Sequence, residues 1–301
     1  MNVLLTGSSG LIGSAVAAAL EARGDAVRYL VRREPAARDR EFRWRPNDGW
    51  VDGNAFQGVD AVIHLAGQSV ASGRWNAAVK NGIRESRVLG TRTIVAAMRE
   101  TSPRPKVFLS ASAIGYYGNQ GDQWVDDTSP PGQGFLCDVC RDWEAAALSA
   151  ESAGIRVACM RFGHVLSTAG GALGKLLPVF RLGLGGPLAD GRTWWSWISR
   201  PDVVRAILFL LDREDLSGAF NMTAPEPVTN REITRALGRV LRRPTLLPVP
   251  RFALRLVFGE MADEVLLSGC RVKPMRLTSV GFAFEDTKIS ACLGRLIHQK
   301  L

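Results

Sequence analysis

The stretch TGSSGLIG, residues 6–13, limits what this chain can fold into more than any other. It stands between the apolar run Val3-Leu4-Leu5 and a helical pattern whose inward face is Ile12, Ala15, Val16, Ala19 and Leu20, spaced by three and four. Gly7, Gly10 and Gly13 fall at G-x-x-G-x-x-G spacing in the turn between them. Glycines there permit a tight turn, close approach of the backbone to a pyrophosphate and close helix packing. The helix N-terminus adds amide donors and the positive end of a dipole. The placement predicts a dinucleotide-binding turn made by Gly7, Ser9, Gly10, Leu11, Ile12 and Gly13, and it outweighs the alternative of a purely structural glycine turn.

Further strand-like runs at 26–31, 61–65, 107–109 and 155–160 alternate with helical patterns. Continuous apolar strands separated by helices indicate a parallel sheet covered on both faces. The expected fold class is α/β, a Rossmann-type doubly wound parallel sheet with a smaller C-terminal substrate lobe. After Arg161 the texture changes to Gly-rich and Trp-rich loops, and Trp194, Trp195 and Trp197 either close a pocket or fill a core. A helix-like stretch at 201–211 and a strand at Ala219-Phe220-Asn221 return to the main sheet, with Asp202 expected to cap that helix or orient a backbone turn. Thr229-Asn230-Arg231-Glu232 reads as a capping box, and 244–250 as an extended connection. The expected division is a nucleotide-binding domain at 1–163, rejoined by 199–222, and a substrate lobe at 164–198 and 223–301. A chain of 301 residues suits one large core with an appended lobe.

The second strand ends Tyr29-Leu30-Val31-Arg32-Arg33, about twenty residues after the glycine turn, where an NAD site presents an acidic residue to the ribose. An arginine there can pair bidentately with a 2′-phosphate. NADP(H) is therefore expected over NAD(H), the alternative being that Arg32 and Arg33 are solvated surface charges.

Composition narrows the partners. No apolar run approaches the ~20 residues that span a bilayer, so no membrane partner is expected, and the chain reads as cytoplasmic. The net charge of +9 is scattered, densest at Arg32-Arg33, 38–45 and Arg242-Arg243. Without a sustained run it suits an anionic small-molecule substrate rather than specific nucleic-acid binding. Five cysteines, an odd and sparse set, argue for reduced thiols. Cys137 and Cys140 form a Cys-x-x-Cys pair, but none of the three histidines is spaced to complete a metal site, so no metal is expected and both read as small buried hydrophobes.

TGSSGLIG, DAVIHLAG (60–67) and SASAIGYYG (110–118) together resemble the extended short-chain dehydrogenase/reductase superfamily. More narrowly, SRVLGTRTIV (86–95), RFGHVLS (161–167), GGAL (170–173), WWSWIS (194–199) and NMTAPEPVTN (221–230) resemble its epimerase-like subfamily typified by the bacterial YfcH protein, in the NAD-dependent epimerase/dehydratase family. The resemblance covers almost the whole chain. It implies that the glycine loop and Arg32-Arg33 hold the cofactor, that His64, Leu65, Ala66 and Gly67 lie beside the pyrophosphate and nicotinamide ribose, and that Ser112 is the active-site hydroxyl. By resemblance only, it also implies a homodimer through two helices of the Rossmann domain.

The superfamily's chemistry implies a Tyr-x-x-x-Lys pair on the helix after the serine strand, the lysine lowering the tyrosine's pKa and orienting the ribose. Counted back from Glu144, the lysine position is Cys140 and the tyrosine position Leu136. Three readings stay open. The first is an NADP(H)-dependent oxidoreductase or epimerase acting on an unidentified small molecule, with Tyr116 or Tyr117 as proton donor and Lys80 or Arg87 as the positive charge. The second is a sensor that binds NADP(H) without catalysis. The third makes Cys140 a nucleophile, which needs a field that depresses its pKa. His164 either contacts substrate or cofactor or is structural.

Overall fold

The computed structural model describes residues 1–37, 39–71 and 73–298; Arg38, in the basic cluster 38–45, lies outside the described residues. β1 (Asn2–Thr6) runs into α1 (Gly13–Ala22), which returns to β2 (Ala26–Val31). β3 (Glu41–Arg45) and β4 (Trp50–Val51) extend that edge, and β5 (Ala61–His64) leads into the long α2 (Ala77–Glu100). After β6 (Val107–Ala113) come β7 (Trp124–Val125), α3 (Phe135–Leu148) and β8 (Arg156–Phe162). β9 (His164–Leu166), α4 (Gly171–Arg181), β10 (Trp194–Trp195) and β11 (Trp197–Ser199) leave the sheet, and α5 (Arg200–Asp212) and β12 (Gly218–Met222) return to it. β13 (Val228–Thr229), α6 (Asn230–Leu241), α7 (Arg251–Phe258), β14 (Arg271–Val272), α8 (Met275–Ser279) and α9 (Ile289–His298) complete the order.

The central sheet has eight strands in the order β12-β8-β6-β5-β1-β2-β3-β4, parallel except for β4 against β3. Both faces are covered, and the period of two along each strand decides which residue goes where. Val3 and Leu5 pack with Ile63, Leu109 and Met160 under α1 and α5, while Leu4 packs with Val62 and Phe108 under α2 and α3. The chain is thus a Rossmann-type doubly wound α/β fold.

Beside the sheet, α4, α6 and α9 enclose a separate apolar cluster into which Trp195 and Trp197 are packed. These two tryptophans therefore fill a core. Trp194 instead stacks 4.3 Å from the Arg271 guanidinium. Thr229 and Glu232 make the capping box of α6. The buried Asp202 carboxylate accepts from the backbone N–H of Glu285 (3.1 Å) and Asp286 (2.9 Å), so it orients the C-terminal turn. Among the described residues no helix is long and apolar enough to cross a membrane.

The order of strands reverses between β1 and β5. Thr6 stands level with His64 there, so the turns leaving the two strands lie side by side. Such a switch point at the carboxyl ends of the strands is where open α/β sheets hold ligands.

Candidate active site

The turn after β1 is cut to fit. Gly7 has φ +72°, and a β-carbon on it would stand 2.8 Å from the Leu65 carbonyl carbon. One on Gly13 would stand 2.1 Å from the Gly7 oxygen, so α1 starts hard against the turn only because Gly13 has no side chain. Gly7, Ser9 and Gly10 line a cleft of about 740 Å³, as do Arg32, Arg33, Leu65, Ala66 and Gly67. Leu11, Ile12 and Gly13 do not line it. Leu11 lies against the Gly170-Gly171 backbone, Ile12 packs on the core beneath α1, and Gly13 supports the turn from behind.

At the far end of the cleft the two arginines differ. Arg33 forks onto Glu41 (2.9 and 2.5 Å). Glu41, held first by Arg33 and then by the amide of Ala36, is pushed down to about 2 and stays an anion. Arg32 is exposed, lines the cleft and makes no hydrogen bond or ion pair among the described residues. The guanidinium available to a phosphate is therefore that of Arg32, while Glu41, the acidic side chain in the cleft, is neutralised by Arg33.

His64 lies behind the second turn, not in the cleft. Thr6 Oγ1 accepts from the N–H groups of Leu65 and Ala66 (both 3.1 Å), which fills its lone pairs. Its own proton then goes to His64 Nδ1 at 2.7 Å, leaving the imidazole proton on Nε2. Burial between Trp44 and Phe108 pushes this histidine down to about 4, so it is neutral and braces β5 against β1. The expectation that His64 touches cofactor is replaced by this bracing role; Leu65, Ala66 and Gly67 present the turn. Thr6, which the sequence reading passed over, sets the turn's shape.

A second cavity, about 360 Å³, opens beyond the turn and is lined by Arg87, Ala113, Leu136, Cys140, His164 and Glu264 among others. Arg87 reaches it from α2. Its guanidinium carbon lies 3.5 Å from where a β-carbon on Gly67 would stand, and Nη1 donates to the carbonyls of Gln68 and Ile83 (both 3.0 Å). Burial lowers its pKa, yet a guanidinium stays charged at neutral pH. Lys80, the other cation considered, is bound to Glu260 at 2.7 Å. His164 stacks on Trp195 at 4.6 Å, and burial pushes it down to about 4, so it too is neutral.

Ser112 and Tyr116 stand elsewhere. Along β6 the alternation turns Ser112 toward α3, and its hydroxyl donates to Glu144 Oε1 at 2.6 Å. Arg161 grips the same carboxylate through Nε (2.7 Å) and Nη2 (2.8 Å). Its Nη1 donates to the Tyr117 hydroxyl at 2.8 Å, whose proton faces the carbonyl of Asp126 and Oδ1 of Asn221. The Tyr116 ring lies flat on Arg161, 3.6 Å from Cζ to the centroid. Neither Ser112 nor Tyr116 lines the cavity, whose wall on this strand is Ala113. The reason is the network itself: a buried serine takes the nearest strong acceptor, and a tyrosine ring covers a buried cation.

A family model described as the NAD dependent epimerase/dehydratase family matches residues 3–223. The chain belongs to that family. A second model, a domain of unknown function (DUF1731), matches residues 249–296. The chain is 45% identical over 291 residues to an epimerase family protein of Mycobacterium leprae, covering 97% of this chain and 94% of that one. It is 39% identical to the chloroplastic epimerase family protein SDR39U1 homolog of Arabidopsis thaliana, covering 95% and 83%. Among solved structures, the human epimerase family protein SDR39U1 (isoform 2), crystallised with NADPH, superposes with a TM-score of 0.89 at 29% identity, covering 98% of this chain and 99% of that one.

Within this family member the α3 positions expected for tyrosine and lysine, Leu136 and Cys140, face the second cavity. Both approach Gly115, at 3.5 and 3.7 Å from a β-carbon built there. Burial raises the Cys140 thiol to about 12 and the Cys137 thiol to about 11, so neither is a thiolate at neutral pH and the nucleophile reading loses its physical basis. Cys137 donates from Sγ to the Gln133 carbonyl at 3.1 Å. Among the described residues no cluster of His, Cys, Asp or Glu could hold a metal.

Proposed function

We propose that the chain is an NADP(H)-dependent oxidoreductase or epimerase that acts on a small molecule held in the cavity of Leu136, Cys140, Arg87 and His164. The observation that carries this reading is the position of Arg87 at the junction of the two cavities, against Gly67 on one side and in the same wall as Cys140 on the other. It supports a cation delivered from α2 in place of the lysine that α3 lacks.

The cleft fits the cofactor on its own terms. Gly7 and Gly13 let the turn close against Leu65 and the start of α1, Gly7, Ser8, Ser9 and Gly10 bring their backbone to the cleft, and Arg32 is the cleft's cation that makes no ion pair among the described residues. The human relative's bound NADPH supports the same assignment. When bound, the cofactor supplies or accepts a hydride. Arg87 holds the ribose side and puts one positive charge in a cavity wall that also carries Glu264. His164, kept neutral, offers one N–H and one lone pair to a substrate oxygen. Leu136, Val139 and Val265 exclude water, and Glu264 supplies an acceptor for a substrate hydroxyl.

The absence of tyrosine and lysine from α3 favours the rival, a sensor without turnover. Purified protein incubated with NADPH or NADP⁺ and a metabolite extract separates the two, with nicotinamide oxidation state, product masses and isomer chromatography followed together. Turnover that Arg87→Met and His164→Phe each reduce supports the enzyme. Tight NADPH binding with no product in any fraction supports the sensor.

A further inference from the structure

We propose that α7, the 244–250 connector and the end of α4 form one face that docks on an anionic lipid bilayer. α7 is amphipathic and only half used by the fold. Leu254 is buried against Ala262 and Leu267, whereas Phe252 and Leu256 are each 73% exposed on the other side. Leu246 at 82% and Leu182 at 74% are exposed on the adjoining segments. The segments are tied into one unit: Arg243 Nε donates to the Arg181 carbonyl at 2.9 Å, and the Val249 N–H to the Pro187 carbonyl at 2.9 Å. A monomer seldom leaves such large apolar side chains together in water without a partner.

The charges around the patch name the partner. No aspartate or glutamate occurs from 164 to 189 or from 233 to 259. Lys175, Arg181, Arg242, Arg243 and Arg251 are exposed and make no ion pair among the described residues, while Arg255 pairs with Asp263 at 2.9 Å. Exposed apolar side chains and unpaired cations on the same joined segments match the acyl boundary and the phosphate layer of an anionic leaflet. A second copy fits poorly, since a two-fold contact would set these cations against themselves. Nucleic acid fits poorly too, because Leu182, Leu246 and Leu256 are aliphatic and Phe252 is a lone aromatic among them, which leaves no row of rings for bases to stack on. This runs against the expectation of no membrane partner, which rested on the want of a spanning segment; lying on a membrane needs none. α7 leads into the turn at Ala262–Leu266, whose Asp263, Glu264 and Val265 line the second cavity, so docking would hold that wall at the bilayer.

The test is cosedimentation of the full chain with phosphatidylcholine vesicles containing or lacking phosphatidylglycerol. Binding is expected with phosphatidylglycerol only and is weakened by salt. Phe252→Asp with Leu256→Asp lowers the partition coefficient on the order of a hundredfold, and Arg242→Glu with Arg251→Glu lowers it about tenfold or more. Both variants keep the parent's circular dichroism spectrum and melting temperature, since the changed side chains are exposed. The proposal is overturned by any of three outcomes: no binding to phosphatidylglycerol vesicles, binding that the apolar substitutions leave unchanged, or a dimer in light scattering that those substitutions dissociate.

Discussion

Arg161 holds both carboxylate oxygens of Glu144, with the two side chains buried between β8 and α3. The pair joins the end of β8 to α3 one turn beyond Cys140, so it fixes the helix that carries Leu136 and Cys140 to the cavity wall. Burial by itself would lower the Arg161 pKa, but the hydrogen bonds and charge of Glu144 outweigh it and hold the guanidinium firmly protonated. Removing one member strands the other. Glu144→Gln or Arg161→Met should each cost about 3–5 kcal/mol in urea unfolding, whereas replacing both by apolar residues should cost less than the sum.

The two arginines at the adenosine end should separate in a binding titration. Arg32→Ala is expected to weaken NADPH by about ten- to a hundredfold, the range of a lost charge-assisted hydrogen bond, and to leave NADH nearly unchanged. Arg33→Ala should do less to NADPH directly. It also frees Glu41, an anion beside the 2′-phosphate's end of the cleft, so NADH should gain relative to NADPH.

Gly7→Ala should abolish cofactor binding in a fluorescence titration, because the new β-carbon meets the Leu65 carbonyl at 2.8 Å and φ is +72°. Ser9 is exposed on the same turn, and Ser9→Ala should keep most of the affinity. Unchanged affinity in Gly7→Ala would show that the turn is not the phosphate seat.

Acid should destabilise the fold through its neutral histidines. The unfolded chain binds a proton at His64 below its ordinary pKa of 6.5, while the folded chain refuses it until about 4. Stability is therefore full above pH 6.5 and falls as pH drops toward 4, by of order 3 kcal/mol for this residue. Denaturant midpoints across that window should fall less steeply in His64→Gln than in the parent, whatever the variant's stability at neutral pH.

The strand-turn-helix order around TGSSGLIG and the alternation of apolar runs with helices were readable because both are local patterns imposed by backbone geometry. β3 and the 24-residue reach of α2 were not: EFRWR alternates polar and apolar, but over only five residues inside a basic cluster, and α2 carries no clean helical period along its length. The glycine turn was legible, but His64 took its place behind it from Thr6, 58 positions away. Ser112 and Tyr116 stand at the right strand end, yet their side chains follow Glu144 and Arg161, partners that only the fold assembles. Arg87 was recognisable as a cation near the site; its place against Gly67 depends on how α2 packs, which no spacing encodes.

A crystal structure with NADPH tests the central claim most directly. It should show the 2′-phosphate on Arg32 and the nicotinamide entering the cavity walled by Leu136 and Cys140, with the Arg87 guanidinium on the nicotinamide ribose. A nicotinamide outside that cavity, with Arg87 still bound only to the Gln68 and Ile83 carbonyls, would contradict it.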